Sequence, residues 1–334
     1  MSEIRIHRSL HHPNIVGFEH FFEDSENVYI LLELCHNQTL SELLKRRKRL
    51  SEVEVQCYLC QIISGLKYLH SRRVIHRDLK LGNLFLTDKM EEKIGDFGLA
   101  TKLEYENDRR KTVCGTPNYI APEIITGKEG HSYEVDIWSL GVIVYTLLIG
   151  KPPFETSDVK TTYRRIKMNA YSFPDHIKIS GTARDLITKI LNLDPKKRPT
   201  LDQILGLSFL HGVSIPKLLP LSTLSCPPSS SFMKQFNSNA GSSEKVKLET
   251  TAPVKLGESS NKLNEKVEIK EARVWVKRWI DYTSKYGLGI SFFLIIGYML
   301  TNDTTGVFFN DSTKITLDID QQYFLRLILA SSTI

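Results

Sequence analysis

Apolar positions along the first two-thirds of the chain recur with two distinct periods. Val28 to Leu34 (VYILLEL) is a nearly unbroken apolar run of strand length, suited to a strand buried on both faces. Val55, Leu59, Ile62, Leu66 and Leu69 follow at alternating steps of four and three, the stripe of a helix with one face on a core. Ser51 and Glu54 precede that stripe as a capping box, in which hydroxyl and carboxylate each satisfy a free N–H of the first turn. A second long helix is predicted from about Val135 to Ile149. Gly150 stops it, with Pro152 and Pro153 beyond. Thr182 to Asp185 and Thr200 to Gln203 are expected to cap two shorter helices. Strands followed by many helices predict an α+β fold, and no internal repeat is visible.

The pattern changes near Ser214. Ser- and Pro-rich text without a period lasts to about Asn264, so residues 213–270 are expected to be a flexible linker. A third segment, 271–334, opens with Trp275, Trp279, Tyr282 and Tyr286. Its short alternating runs, Thr305 to Phe309 and Lys314 to Leu317, predict β-structure.

Composition narrows the function classes. The 334 residues are 41% hydrophobic and 25% charged, which excludes a wholly disordered or collagen-like chain. Forty-four basic against 38 acidic residues leave +6, too mild an excess to argue for nucleic acid. Gly287 to Leu300 is the membrane candidate of the sequence and is shorter than the ~20 residues of a spanning helix, so no membrane role is expected. The N-terminal dozen is charged and has no apolar centre, unlike a signal peptide. Five scattered cysteines do not form a disulfide framework, which suggests a reducing compartment; Cys57 and Cys60 are expected as two buried thiols on a helix. The run Lys45 to Arg49 is expected to be a solvated stretch between two helices.

The chemistry is carried by three groups in order: His76-Arg77-Asp78-Leu79-Lys80-Leu81-Gly82-Asn83, then Asp96-Phe97-Gly98, then Ala121-Pro122-Glu123. A carboxylate on a rigid loop, Asp78, can orient an attacking hydroxyl and receive its proton. Asp96 and Asn83 offer the hard oxygen donors that Mg²⁺ prefers among triphosphate oxygens. Lys80, two places after Asp78, can neutralise charge on a transferring phosphate. On these motifs residues 1–212 resemble the eukaryotic protein kinases, entered part-way through the small lobe. The resemblance implies a partial small lobe, a mainly helical large lobe, and ATP and Mg²⁺ as cofactors. Lys80 resembles the Ser/Thr-specific pattern. Glu123 and Arg198 match the family's buried ion pair, and Asp136 the helix that anchors the catalytic loop. Thr112 in the activation segment is expected to be a regulatory phosphosite paired with Arg77, and Thr116 to hold the substrate platform.

Finer text is similar to the polo-like kinases. Glu33 and Cys35 stand where that family's adenine-binding hinge lies, Phe85 beneath the adenine, and Glu3 at the position of the helix glutamate. Val274 to Tyr282, Lys285 to Gly289 and Phe309 to Lys314 are similar to the opening of a first polo box. Trp279 is then implied as a phosphopeptide contact. Within 290–297 an apolar insertion interrupts that text, and the likeness is expected to fade after about Asp318.

The family implies protein Ser/Thr substrates, phosphorylated docking proteins for a complete polo box, and an upstream activating kinase. It also implies a mitotic, cell-cycle role, with residence in nucleus and cytoplasm and at centrosome, kinetochore and spindle. No Gly-rich loop or strand lysine precedes Glu3 in this sequence. The competing expectation is therefore a catalytically impaired fragment that acts as an interaction or regulatory module.

Overall fold

The computed structural model describes residues 2–24, 27–105 and 107–237, and the backbone of 276–281, 296–300, 305–308, 314–317 and 323–329. Helix α1 (Ser2–His7) precedes an antiparallel hairpin of β1 (Phe18–Glu23) and β2 (Asn27–Glu33), in which Phe18 faces Leu32 and Glu23 faces Val28. The apolar run therefore forms a strand, as its composition predicts. Ile30 and Leu32 bury one face of it against Ile4, Val16 and Cys35 in a small separate core.

The larger core belongs to the helical part. It is built by α2 (Leu40–Arg47), α3 (Glu52–Ser71), α4 (Pro122–Thr126), α5 (Glu134–Ile149), α6 (Val159–Lys167), α7 (Gly181–Ile190) and α8 (Leu201–Leu205). All five residues of the expected α3 stripe are buried, and the Ser51–Glu54 box caps the helix. Gly150 ends α5 in a left-handed conformation, φ 95°. Short pairs β3 (Val74–Ile75) with β6 (Thr101–Lys102), and β4 (Leu84–Leu86) with β5 (Glu92–Ile94), lie over these helices.

Three expectations are corrected. The cap of α7 is Ser180, not Thr182. Ser180 has extended backbone and its hydroxyl accepts the Ala183 N–H at 3.1 Å, which leaves Thr182 inside the first turn. Thr200 and Gln203 do form their box. The basic run is not wholly solvated: Arg47 ends α2 and turns inward, where its guanidinium pairs with the buried Glu54 carboxylate at 2.7 and 3.1 Å. The segment after Gly212 is not all linker. Leu219 and Thr223 are buried against the helical core, the Thr223 carbonyl accepts a bond from Arg47, and α9 (Ser230–Asn237) follows. The rest of the expected linker lies outside the described residues.

The third segment carries β-structure, as its alternating runs predict. Its strands β7 (Val276–Asp281), β8 (Ile296–Leu300), β9 (Thr305–Phe308), β10 (Lys314–Leu317) and β11 (Tyr323–Leu329) continue the small-lobe hairpin. The described strands run β1-β2-β11-β10-β9-β8-β7, all antiparallel. Tyr323 faces Glu33 and Leu329 faces Asn27, so β11 occupies the edge of β2 along its whole length. A strand edge carries a row of unpaired N–H and C=O groups, and β11 satisfies them. Ile296 and Gly297, the last two residues of the expected insertion, pair with Asp281 and Ile280 as ordinary strand residues. Among the described residues no helix is long and apolar enough to cross a membrane.

Candidate active site

The loop His76–Asn83 crosses from β3 to β4 with Arg77 in the left-handed region, φ 67°. Such a conformation persists in a non-glycine residue only where its surroundings over-determine it. Asp136, fully buried at the start of α5, does so. Its two oxygens accept the backbone N–H groups of His76 at 3.0 Å and Arg77 at 2.9 Å, and Nε2 of His70 at 2.9 Å. Burial alone would raise the Asp136 carboxyl; the His70 hydrogen bond and charge, with these N–H groups, outweigh it and hold it below its ordinary value.

His76 fixes the other side of the loop. Its Nε2 lies 3.0 Å from the Gly95 carbonyl and its Nδ1 accepts the Asp78 N–H at 3.3 Å. Asp78 is thereby held with both oxygens engaged. Oδ1 accepts the Thr116 N–H at 3.0 Å and its hydroxyl at 2.6 Å; Oδ2 accepts Lys80 Nζ at 2.7 Å and Asn83 Nδ2 at 3.3 Å. Lys80 also reaches the Thr116 hydroxyl at 3.2 Å. Four of the sequence-predicted residues, Asp78, Lys80, Asn83 and Thr116, thus form one hydrogen-bonded cluster.

The β4–β5 hairpin sets the two expected metal ligands. Asn83 stands just before β4 and Asp96 just after β5, and the Gly95 N–H donates to the Asn83 carbonyl at 2.9 Å. Asn83 spends its amide N–H on Asp78, on the carbonyl at 2.9 Å and on the carboxylate, which leaves Oδ1 as its ligand atom. Asp96 has φ 63° and accepts the Gly98 N–H at 3.3 Å. Glu3 of α1 is close by: a Cβ placed on Gly98 would lie 3.5 Å from its carboxylate and 3.3 Å from that of Asp96. Phe97, fully buried, packs between His7 of α1 and His76, at ring separations of 4.5 and 5.3 Å. One carboxylate and one amide oxygen suit a hard cation that takes its remaining ligands from phosphate and water.

The hinge residues fall differently. Phe85 lies so close to Gly95 that a Cβ there would meet its ring at 2.8 Å, so only glycine fits. Cys35 is buried, and burial followed by the charge of Glu33 pushes its thiol up to about 12. The Glu33 carboxylate pairs with Lys93 at 3.0 Å and accepts the Gly17 N–H at 2.9 Å.

Farther out, Glu123 and Arg198 make a bidentate pair at 2.6 and 2.7 Å, with the guanidinium over the Trp138 ring at 5.0 Å. Arg77 donates to the Leu99 carbonyl at 2.8 Å, and Thr112 is exposed. Trp279 lies in β7 opposite Tyr298; its side chain, and so its expected peptide contact, lies outside the described residues. His131 is buried beside the activation segment, its backbone bridged to that of Arg110.

A protein kinase domain matches residues 1–210 of the chain, and a POLO box duplicated region matches residues 295–326. The second match runs past Asp318, farther than the expected end of the likeness. The chain is 48% identical to a probable serine/threonine-protein kinase CCRP1 of Zea mays, over 95% of this chain and 68% of that protein. It is 47% identical to serine/threonine-protein kinase PLK1 of Xenopus laevis, over 94% of this chain and 58% of that protein. It is 56% identical to cell cycle serine/threonine-protein kinase CDC5/MSD2 of Saccharomyces cerevisiae, over 68% of this chain and 32% of that protein. The chain spans from 32% to 68% of the length of these relatives.

Proposed function

This chain belongs to the polo-like serine/threonine protein kinases, and on that footing we propose that it transfers the γ-phosphate of ATP to Ser or Thr hydroxyls of proteins. The observation that carries the reading is the held carboxylate of Asp78. Thr116 and Lys80 fix its plane from two sides, so an incoming hydroxyl meets an acceptor already oriented. Asp78 aligns that hydroxyl and takes its proton as the new oxygen–phosphorus bond forms and the bond from the γ-phosphorus to the β–γ bridging oxygen breaks, with ADP leaving. Lys80 stays within reach to offset negative charge on the phosphoryl oxygens. A bound Mg²⁺ would supply positive charge to offset the negative charge of the triphosphate. Asn83 Oδ1 and the Asp96 carboxylate are the groups that would hold it.

Protein substrates in cell division, docking of phosphorylated partners through the polo-box segment, an upstream kinase acting on Thr112, and residence in nucleus, cytoplasm and at centrosome, kinetochore and spindle complete the proposal. Titration calorimetry of the chain with Mg-ATP, beside Asp96→Asn, tests the nucleotide site. Magnesium-dependent binding weakened at least tenfold by Asp96→Asn is the expected result. Binding that ignores both magnesium and Asp96 would remove the assignment and leave an interaction module.

A further inference from the structure

We propose that the cavity between the end of α5 and α6 is a subsite for the substrate polypeptide, and that its ligand is the carboxylate of an Asp or Glu residue several positions away from the accepting hydroxyl. The proposal rests on the reading of the chain as a protein kinase and adds to it a binding site outside the catalytic cluster.

The walls of the cavity are fixed in advance. It measures about 460 Å³ and lies between Tyr145 of α5, the turn 151–155, Arg165 of α6 and the segment 170–174. Pro152 and Pro153 restrict the turn, since the proline ring fixes φ. The Tyr145 hydroxyl donates to the Ser172 carbonyl at 2.7 Å, which ties the far wall to α5. The Tyr171 ring meets Phe154 edge-on at 5.5 Å, and Phe154 stacks on the buried Trp138 at 5.6 Å. A ligand therefore meets a surface that needs little ordering, which lowers the entropic cost of binding.

Charge selects the ligand. Lys151 and Arg165 line the cavity against one acid, Glu155. Among the described residues neither cation forms an ion pair. Arg165 Nη1 donates to the backbone carbonyl of Glu155 at 3.2 Å, which pins α6 to the turn without neutralising either group. Two cations against one acid leave a single positive charge, so one carboxylate balances the lining and a phosphate dianion would overshoot.

The cavity is joined to the catalytic cluster through Tyr119. Its N–H donates to the Thr116 carbonyl at 2.9 Å, and the Thr116 hydroxyl holds Asp78 at 2.6 Å. Its own hydroxyl bonds the Leu81 backbone in the catalytic loop and the Thr146 side chain, next to Tyr145 in α5, and feels the charge of Glu155. A substrate with its hydroxyl at Asp78 that runs extended along Tyr119 gains about 3.3 Å per residue and arrives at the turn 151–155 several positions on.

The test follows initial rates of phosphoryl transfer from Mg-ATP to serine peptides of neutral background, in which a single glutamate is moved through eight positions on either side of the serine. The chain is compared with its Lys151→Ala, Arg165→Gln and Glu155→Gln variants. Glutamate at one position, three or more residues from the serine, should lower KM about fivefold with kcat unchanged, the mark of binding made equally in ground and transition states. Lys151→Ala and Arg165→Gln should each remove most of that gain, and Glu155→Gln should enlarge it. The peptide without glutamate should be phosphorylated alike by all four proteins, which separates loss of the subsite from a folding defect. A KM indifferent to glutamate at every remote position, or a gain that survives Lys151→Ala, would overturn the proposal and leave the kinase reading intact. A chain that transfers phosphate to none of the peptides would overturn both.

Discussion

Glu92 shows how much one residue's environment can oppose its chemistry. It sits at the head of β5 with no exposure, and neither carboxylate oxygen has a hydrogen-bond partner among the described residues. Burial pushes its carboxyl well above 4.5, and nearby Lys93 offsets this only in part. A group whose folded value is raised costs nothing below its unfolded value and destabilises progressively as pH rises above it. Glu92→Val is therefore expected to be more stable than the parent by roughly 1–3 kcal/mol at pH 7. The difference should be smaller near pH 4.5 and widen on the alkaline side, as followed by urea unfolding across pH. A gap that stays constant with pH would mean that Glu92 is not ionisation-linked to folding. At this scale the sequence was most legible where chemistry and motif coincide, as for Asp78, Asn83 and Asp96. It was least legible where the partner is remote: nothing near Arg110 points to His131.

Elements show the same division. The α3 stripe was readable because periodicity is local and strong. The α7 cap was misplaced because a capping hydroxyl is chosen by the backbone angles before it, and Ser180 and Thr182 offer the same group two positions apart. The contact of α2 with α3 was invisible. Arg47 and Glu54 lie on different helices, each almost fully buried, and Glu54 also accepts the Ser51 N–H at 2.8 Å. Removing one partner of such a pair leaves an uncompensated charge, so Arg47→Met should cost about 3–5 kcal/mol. Glu54→Leu should cost about 1 kcal/mol more, because the cap goes with it. The double variant should recover most of the Arg47→Met loss in urea titrations. Strictly additive losses would show that the two side chains do not interact.

At the scale of the molecule, residues 213–237 and β11 change what the composition implies. A Ser- and Pro-rich segment reads as linker because two buried residues, Leu219 and Thr223, are too few to make a period. Strands of the third segment were readable one by one, but the pairing of β11 with β2 was not, since strand order depends on which edges meet. That pairing closes the outer edge of the hairpin next to the hinge. Deleting residues 323–334 should release the β2 amides from protection, with hydrogen exchange at Ile30 and Leu32 faster by about tenfold or more. Unchanged exchange would show that β2 does not depend on β11.

Catalysis by Asp78 is the claim on which the functional account stands. The most direct measurement is the initial rate of phosphoryl transfer from Mg-ATP to a serine-containing peptide, by the chain and by Asp78→Asn. The account predicts a magnesium-dependent rate that falls by about 10²–10⁴-fold in the variant with nucleotide binding retained. An Asp78→Asn protein that transfers phosphate as fast as the parent would contradict it.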